Sequence, residues 1–535
     1  MDDYPEPRFE HPYYFLWHLV AMGVIEVDEK TGMQGATGAE PGCPTIRSTV
    51  WDDLTGTPSD SPKTRIAMID VGCSRNHPNL QGRVSHELSI DLAAHPFGAK
   101  LLPVDDASSP APSTAFFEDL PNGVPMPSDL GANDQAYLTE FVETLAESRG
   151  IVRRFGDVEE KFSSHGTAIA GLLVGAPATG ETRTDQILPY FGVDPFSELI
   201  SIRTSFDNDP AQMLAALLYA WMHKADVIVL PRGLPDPERR RMKTKIDMHN
   251  SLESWKSCER NDLLVRIETL EALAGNHDPN APDNGKSSEI LWRITKHLLI
   301  EISKTIPVVC AAGNEGESQM IYPASLAHRE NGIIAVGSVT SEGLRSGYSN
   351  YGDGLTVVAP SDDMEVHNRY QVRTNWKEYQ ARKDRFPIPD AVMRLPRSPL
   401  SLLSTDLPGS FGYEGEDLEG FRYRDMDSKT ARNGFYTTFG GTSGACALVA
   451  GVVALVRRAE MAGPAPHSRR DGPDIKKLLQ DSARDKGPVL PGGPQMVGDK
   501  MNAPDEDAHP LTYFFGHGLV DARAAVAAAL ARAPA

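Results

Sequence analysis

Residues 438–456 read TFGGTSGACALVAGVVALV, an uncharged stretch in which two glycines precede a pair of hydroxyl residues. Small residues recur through it, so it predicts a tightly packed helix at the centre of a domain rather than an amphipathic surface helix. Gly440 and Gly441 allow a sharp turn into this helix and place Ser443 at its N-terminus, where free amides favour a developing negative charge. An ordinary N-cap at Thr442 or Ser443 is the alternative.

The composition and net charge of the chain indicate which kinds of molecule are disfavoured as its partners. The 535 residues carry a formal net charge of -20, with 40% hydrophobic and 24% charged residues, which is ordinary for a globular protein with a large core. The negative charge argues against nucleic acid as a partner and against an anionic membrane surface. The N-terminus is acidic where a secretory signal is basic, and the apolar run 13–25 is too short to span a bilayer. We therefore expect neither nucleic acid nor a membrane as a partner.

The number and positions of the cysteines indicate whether the protein resides in a reducing or an oxidising compartment. The sequence has an odd number of cysteines, and three of them lie in apolar or motif stretches: Cys43, Cys73, Cys258, Cys310 and Cys446. Buried thiols in a reducing compartment fit this distribution better than a disulfide framework does. We expect a cytoplasmic protein.

Strand-like and helix-like patterns alternate along most of the chain. Strand-like apolar runs occupy residues 66–70, 199–203, 226–230, 306–312, 333–338 and 355–359. Helical patterns separate several of them, most clearly at 211–224 and 290–303. This alternation is typical of a parallel sheet covered on both faces. We predict an α/β fold, a three-layer, mostly parallel, doubly wound sheet with helices on both faces.

Three further polar residues stand where a strand ends or a helix begins. Asp70 closes an apolar strand-like run, His165 opens a small-residue apolar helix, and Asn314 lies in the turn after residues 306–312. Open α/β sheets place functional groups at the carboxyl ends of their strands. Taken singly, Asp70 and Asn314 also fit ordinary turn residues, and His165 fits a capping or core histidine.

Together the polar residues match the needs of acyl transfer. Such a site requires a nucleophile, a base, a carboxylate that orients the base, and donors for the oxyanion. Ser443, His165, Asp70 and Asn314 supply one group for each role. One crevice at the edge of the sheet can collect all four.

With these motifs in this order, the chain resembles the subtilisin-like serine peptidases, or subtilases. The order Asp, His, Asn, Ser is that of this family rather than of chymotrypsin-like or α/β-hydrolase enzymes. The resemblance rests on the motifs IAMIDVG (66–72) with HPNL (77–80), HGT (165–167), AAGN (311–314), and GTS (441–443) with Ala-Gly (450–451). Supporting stretches lie at residues 17–19, 322–325, 334–337, 348–352, 358–360 and 516–522.

The resemblance implies a role for each motif residue. Ser443 would attack a peptide carbonyl, with His165 as general base and then general acid, and Asp70 would hold the imidazole tautomer. The Asn314 side chain and the Ser443 backbone N–H would bind the oxyanion. The residues implied in substrate binding are Pro231, Arg232, Gly233, Ala312 and Gly313.

The resemblance also bears on cofactors and partners. It implies a peptide or protein substrate and no required cofactor. Calcium is common in the family, but no carboxylate cluster in the sequence marks a metal site. The resemblance leaves open a calcium requirement and a regulatory protein partner.

The chain departs from the family pattern at three places, and a fourth residue beside the cleft, Arg232, bears on substrate choice. Val71 stands where the family has a small hydroxyl residue, so one hydrogen bond near Asp70 is in doubt. Gly444 follows the serine where the family has methionine, which is expected to loosen the first helical turn. Pro231 has no N–H for pairing with substrate backbone. Arg232 would favour an acidic substrate group if it faced the cleft, and would otherwise point to solvent.

The motifs divide the chain into regions. We predict an N-terminal arm at 1–60 and a catalytic domain at 61–535 with insertions at about 93–160, 234–286 and 362–436. No stretch is marked as the usual folding propeptide, which suggests an enzyme restrained by a partner, a lid or the arm. The leading hypothesis is a serine endopeptidase. The alternatives are a peptide ligase or macrocyclase that uses the same acyl-enzyme, and a catalytically inactive peptide-binding module.

Overall fold

The apolar runs form the strands of the fold. The computed structural model describes residues 16–26, 48–55, 63–93, 116–120, 123–147, 153–154, 163–179, 187–205, 209–236, 286–341, 343–362, 402–407, 412–413, 435–462, 469–490, 496 and 510–531. The strands within these residues are β1 (Arg65–Asp70), β2 (Ile90–Asp91), β3 (Arg153–Arg154), β4 (Glu198–Arg203), β5 (Val227–Leu230), β6 (Val308–Ala311), β7 (Ile333–Val339), β8 (Val357–Pro360), β9 (Leu402–Thr405) and β10 (Tyr436–Phe439).

Eight of these strands form one sheet in the order β3-β2-β4-β1-β5-β6-β7-β8. Every neighbouring pair is parallel except β2 and β3, which are antiparallel at one edge. At the centre, Met68 of β1 pairs with Ser201 of β4 on one side and with Val229 of β5 on the other. The predicted mostly parallel α/β sheet is confirmed, and β1, β5 and β6 direct their carboxyl ends to the same edge.

Helices cover both faces of the sheet. They are α1 (Trp17–Ala21), α2 (Thr49–Thr55), α3 (Ala132–Glu147), α4 (Ser163–Val174), α5 (Pro210–Met222), α6 (Lys286–Ser303), α7 (Gly441–Ala462), α8 (Gly472–Ser482), α9 (Leu511–Phe515) and α10 (Ala522–Leu530). Helix α7 packs against β5 to β8, α4 and α10, while α5 and α6 pack against each other. Among the residues described here, no helix has both the length and the apolar character needed to cross a bilayer.

Helix α7 is the buried central helix that the sequence predicts. Its residues from Ala445 to Val456 are buried. Small residues permit this close packing, since a Cβ added to Gly451 would lie 2.5 Å from Cβ of Val193. A helix held on all sides in this way fixes its first turn, which carries Ser443, with respect to the sheet.

The first and last described helices are joined. Helix α1 is buried, with Trp17 at 2% and Leu19 at 0% exposure. The amide of Ala522, the first residue of α10, donates to the Met22 carbonyl at 2.8 Å, and the Arg484 side chain donates to the Ala21 carbonyl. The described parts of the predicted N-terminal arm, 16–26 and 48–55, therefore contribute to the core.

Strands β9 and β10 form a separate antiparallel pair that packs on α4. The Ser404 hydroxyl donates to the Ala168 carbonyl at 2.6 Å, and the Thr405 hydroxyl donates to the Thr167 carbonyl at 2.7 Å. Gly171 admits this pair, since a Cβ there would lie 2.3 Å from Thr405 Oγ1. The stretch 362–436, predicted as an insertion, thus includes a strand that contacts the core.

The other predicted insertions are described only in part. Residues 93–160 include α3, which is joined to α6 by an ion pair between Arg293 and Asp134 at 2.6 Å. The predicted insertion at 234–286 lies outside the described residues except at its two ends. Of the cysteines, Cys73, Cys310 and Cys446 are buried, as expected, and Cys43 and Cys258 lie outside the described residues.

Candidate active site

Asp70 and His165 form a hydrogen-bonded pair at the carboxyl end of β1. His165 Nδ1 lies 2.7 Å from Asp70 Oδ2, with Asp70 buried and His165 partly exposed. Burial by itself would raise the pKa of Asp70. Attraction to His165, the hydrogen bond with it and attraction to Arg232 outweigh burial and hold that pKa below its usual range. Asp70 is therefore a carboxylate that can orient the imidazole and balance a positive charge on it.

The backbone of Val71 supplies a second hydrogen bond to this carboxylate. Its amide donates to Asp70 Oδ1 at 2.8 Å. Each carboxylate oxygen thus has one partner, although the side chain of Val71 offers none. The backbone amide of Val71 therefore supplies the hydrogen bond to Asp70 that the missing hydroxyl side chain had put in doubt.

Glycines allow α4 to approach the loop after Asp70. A Cβ added to Gly166 would lie 1.9 Å from the Gly72 carbonyl oxygen, so the two backbones are in direct contact. The Ser74 amide donates to the Thr167 hydroxyl at 2.9 Å and ties the loop to the same helical turn. This contact sets the position of His165 with respect to Asp70.

Ser443 lies in the first turn of α7, on the wall of a pocket of about 620 Å³ that also contains Asp70, His165 and Asn314. Its hydroxyl donates to the Pro231 carbonyl oxygen at 2.7 Å rather than to the His165 ring. A catalytic hydrogen bond between serine and histidine is often long or absent before substrate binds. Rotation of the Ser443 side chain away from Pro231 would allow its proton to pass to His165.

The first backbone amides of α7 differ in whether they have a hydrogen-bond partner. The Gly441 amide donates to the Tyr348 hydroxyl at 3.1 Å, and the Thr442 amide donates to Asn314 Oδ1 at 2.8 Å. Within the described part of the chain, the Ser443 amide has no hydrogen-bond partner. It remains available to an anion in the pocket.

The Asn314 side chain is held by Thr442. Its Oδ1 accepts from both the amide and the hydroxyl of Thr442, at 2.8 and 2.9 Å. Because a backbone amide can only donate, the oxygen must face Thr442, and Nδ2 is then the donor left for a ligand. Gly441, with φ +72°, makes room for this donor, since a Cβ there would lie 3.0 Å from Nδ2. The sequence indicated Thr442 only as a possible N-cap, and its role in positioning Asn314 was not predicted.

The residues implied in substrate binding do not all reach the pocket. Pro231, Arg232, Gly233 and Gly313 lie on its wall. Ala312 does not, and both of its backbone groups are used within the fold: its amide donates to Val336 at 2.9 Å and its carbonyl accepts from Ile321 at 2.8 Å. Ala312 therefore lies off the pocket wall, and its backbone groups have partners within the fold.

Arg232 turns inward. Its guanidinium donates to Thr204 Oγ1 at 2.7 Å and to the Ser205 carbonyl at 2.9 Å, just after β4 ends. The Thr204 amide in turn donates to the Asp70 carbonyl at 2.8 Å. Neither of the two arrangements expected from the sequence includes these contacts: Arg232 lies on the pocket wall and is partly buried, but its guanidinium is held at the end of β4 and its charge acts on Asp70.

Gly444 makes room for the β9–β10 pair. A Cβ at this position would lie 2.8 Å from Leu402 Cδ1 and 3.5 Å from Phe439 Cδ1. Helix α7 nevertheless runs without interruption from Gly441. The departure from the family pattern is therefore a packing adjustment to a neighbouring strand.

The HPNL motif ties the loop after β1 to β10. The His77 ring bonds to the Phe435 carbonyl at 2.8 Å, and Asn79 Oδ1 accepts from the Tyr436 hydroxyl at 2.6 Å. Burial lowers the pKa of His77 to about 4, so it is neutral and structural. Among the residues that the structure describes, no group of three or more His, Cys, Asp or Glu side chains is placed to hold a metal ion.

Two curated proteins are similar to parts of this sequence. The calcium-dependent protease of Nostoc sp. is 25% identical over 371 residues, which is 69% of this chain and 41% of that protein. Subtilisin BL of Lederbergia lenta is 38% identical over 63 residues, which is 12% of this chain and 22% of that protein. The chain spans less than half the length of these curated relatives.

Solved structures are also similar. A lanthipeptide protease aligns with a TM-score of 0.42 and 16% identity, covering 87% of each chain. The epidermin leader peptide processing serine protease of Staphylococcus aureus aligns with a TM-score of 0.43 and 18% identity, covering 90% of this chain and 78% of that one. A model of the subtilase family matches residues 61–518, which include all four candidate site residues. The chain therefore belongs to the subtilase family.

Proposed function

We propose that this protein is a serine endopeptidase that cleaves peptide bonds through an acyl-enzyme on Ser443. The observation that carries the proposal is the Asp70–His165 pair, 2.7 Å apart, on the same pocket as Ser443. The Ser443 amide, which has no partner among the described residues, and the oriented Asn314 side chain add donors beside the nucleophile. A pocket with only a structural role would not need all of these groups together.

The chemistry needs two half-reactions. In the first, Ser443 Oγ leaves the Pro231 carbonyl and attacks the peptide carbonyl carbon while His165 takes the hydroxyl proton. Asn314 Nδ2 and the Ser443 amide bind the resulting oxyanion. The C–N bond then breaks, and His165 gives its proton to the leaving amine. In the second, His165 removes a proton from water, which attacks the ester carbonyl. The bond between the acyl carbon and Ser443 Oγ then breaks, His165 returns the proton to Oγ, and the carboxylic acid product leaves.

Asp70 and Arg232 set the electrostatics of this cycle. The ionised Asp70 stabilises the positive charge that His165 carries while it holds the proton. Arg232 favours the ionised form of Asp70 and offsets the cost of its burial. All groups in the two half-reactions belong to the chain or to solvent, so the proposed reaction needs no cofactor.

The test is labelling with a fluorophosphonate probe, which reacts with activated serines. Wild type should be labelled, and Ser443→Ala and His165→Ala should not. Absence of Ser443-dependent labelling would leave the inactive binding module as the better description. Ser443→Cys is a useful control variant, because it preserves a nucleophile of similar size at the same position.

Product analysis separates hydrolysis from ligation. Incubation of the wild-type protein with a peptide library in H₂¹⁸O, followed by mass spectrometry, should show ¹⁸O in the new C-termini. Products joined to an added amine, without ¹⁸O, would instead identify a ligase or macrocyclase. The cytoplasmic location and a regulatory partner stay predictions, to be tested by fractionation of the native host and by co-purification.

A further inference from the structure

The pocket around Ser443 is lined by apolar as well as polar side chains. Leu234 and Ile321 supply aliphatic surface. Tyr413 also lies on the pocket wall, and it comes from the stretch 362–436 that interrupts the family motifs. We propose that Tyr413 is a specificity-determining residue, which receives an apolar side chain of the substrate next to the scissile bond. This inference rests on the proposed peptidase function.

Tyr413 is a large apolar surface located at the site. It is 50% exposed. Other exposed large hydrophobic side chains, such as Met126 and Met461, are single surface residues of the ordinary kind. Tyr413 differs because it lies on the wall of the pocket that contains Ser443.

Aromatic contacts place the Tyr413 ring beside the catalytic base. Its centroid lies 6.2 Å from that of Phe439, at an interplanar angle of 46°. Phe439 is buried, and its centroid lies 5.4 Å from the His165 ring, at 64°. These separations are within the range of favourable aromatic pairs. Tyr413 and His165 both line the pocket and both contact the buried Phe439 ring, so a side chain resting on Tyr413 belongs to a residue close to the bond being cut.

The backbone under Tyr413 is fixed. A Cβ added to Gly412 would lie 2.1 Å from the Leu407 carbonyl oxygen and 2.8 Å from Asp406 Oδ2. Asp406 and Leu407 are themselves buried, directly after β9. Gly412 therefore lies directly against the residues that follow β9, and this contact places Tyr413 near the end of that strand.

The exposed face of the Tyr413 ring favours one class of substrate side chain, a large apolar one. A half-exposed aromatic ring supported by another ring gains by covering its face with apolar area, roughly 25 cal/mol for each Å² removed from water. A leucine, methionine or phenylalanine side chain provides that area, whereas glycine and alanine do not. We therefore expect a preference of about tenfold in kcat/KM for a large apolar residue over alanine at one position flanking the cleaved bond.

The experiment uses the full-length protein and a peptide series in which each position around one mapped cleavage site is alanine, leucine, phenylalanine or lysine. Wild type should prefer leucine and phenylalanine at one position. Tyr413→Ala should lose that preference about tenfold through KM, and Tyr413→Phe should retain it. Met461→Ala is the matched control, since it removes an exposed apolar side chain elsewhere.

The outcomes separate this inference from the proposed function. Fluorophosphonate labelling of Tyr413→Ala at the wild-type rate would show that Ser443 and His165 are intact. If Tyr413→Ala then keeps every side-chain preference of wild type, the inference is wrong although the peptidase function stands. If wild type itself shows neither cleavage nor Ser443-dependent labelling, it is the proposed function that fails.

Discussion

The Thr442 hydroxyl donates to Asn314 Oδ1 at 2.9 Å and accepts from the Gly313 amide at 3.1 Å. Together with the Thr442 amide, it fixes the Asn314 carboxamide in one orientation before any substrate is present. A preorganised donor costs no reorganisation when the oxyanion forms, and this is the main source of its catalytic value.

Replacing Thr442 with valine should therefore reduce the rate without reducing substrate binding. Thr442→Val keeps the side-chain shape but removes the donor to Asn314, and we expect kcat to fall about 10- to 100-fold with KM nearly unchanged. Steady-state kinetics on a cleaved peptide will measure this. Thr442→Ser should recover most of the rate, and a Thr442→Val enzyme within twofold of wild type would contradict the assignment.

Gly166→Ala should separate α4 from the loop after Asp70. The new Cβ would fall 1.9 Å from the Gly72 carbonyl oxygen, and neither backbone can move without disturbing the Asp70–His165 pair. We expect a loss of about 3 kcal/mol in the free energy of unfolding, together with loss of activity. Urea denaturation will measure it, with Gly123→Ala as control, since a Cβ there would meet only the tip of Trp221 at 3.5 Å.

Arg232→Met should raise the pKa of Asp70, because attraction to Arg232 is one of the causes that lower it. A carboxyl group with a lowered pKa stabilises the fold above its unfolded pKa, and this contribution is lost as pH falls through the folded pKa. Arg232→Met should therefore cost about 2 kcal/mol at pH 7 and less near pH 3. Urea denaturation at both pH values will show this. Arg232→Lys, which keeps the charge, should be milder, and an equal cost for both variants at both pH values would contradict the electrostatic role.

Buried His18 should make the fold sensitive to acid. Burial lowers its pKa to about 3, and neither of its ring nitrogens has a hydrogen-bond partner among the described residues. Below pH 6.5 the unfolded chain binds a proton that the folded chain excludes, so stability falls as pH decreases.

Between pH 7.5 and 5.0 this difference amounts to about 2 kcal/mol. His18→Leu should reduce the acid-induced loss of stability by that amount, measured by urea denaturation at the two pH values. His86→Leu, at an exposed histidine, is the matched control. An unchanged pH dependence in His18→Leu would contradict the assignment of His18 as a buried neutral residue.

The sequence predicted the central strands and α7 because long apolar runs leave little choice of structure. It missed β2 and β3, which have two residues each, since so short a strand has no periodicity. It also missed β9, which is stabilised by contacts with α4 that no local pattern records.

For the candidate site too, some features were predictable from the sequence and others were not. The order and spacing of the motifs were enough to single out Asp70, His165, Asn314 and Ser443, which the structure brings to one pocket. Side-chain direction was not predictable. The inward turn of Arg232 depends on groups at the end of β4, and the place of Tyr413 depends on tertiary contacts of a segment outside the motifs.

The hydrogen bond from the Ala522 amide to the Met22 carbonyl has a consequence for biosynthesis. Translation proceeds from the N-terminus, so Ser443 leaves the ribosome before the residues against which α1 packs. During that interval the nucleophile exists on a chain whose core is still open. The contact between α1 and α10 can form only after residue 522 has been synthesised, so Ser443 is made before this part of the core can close.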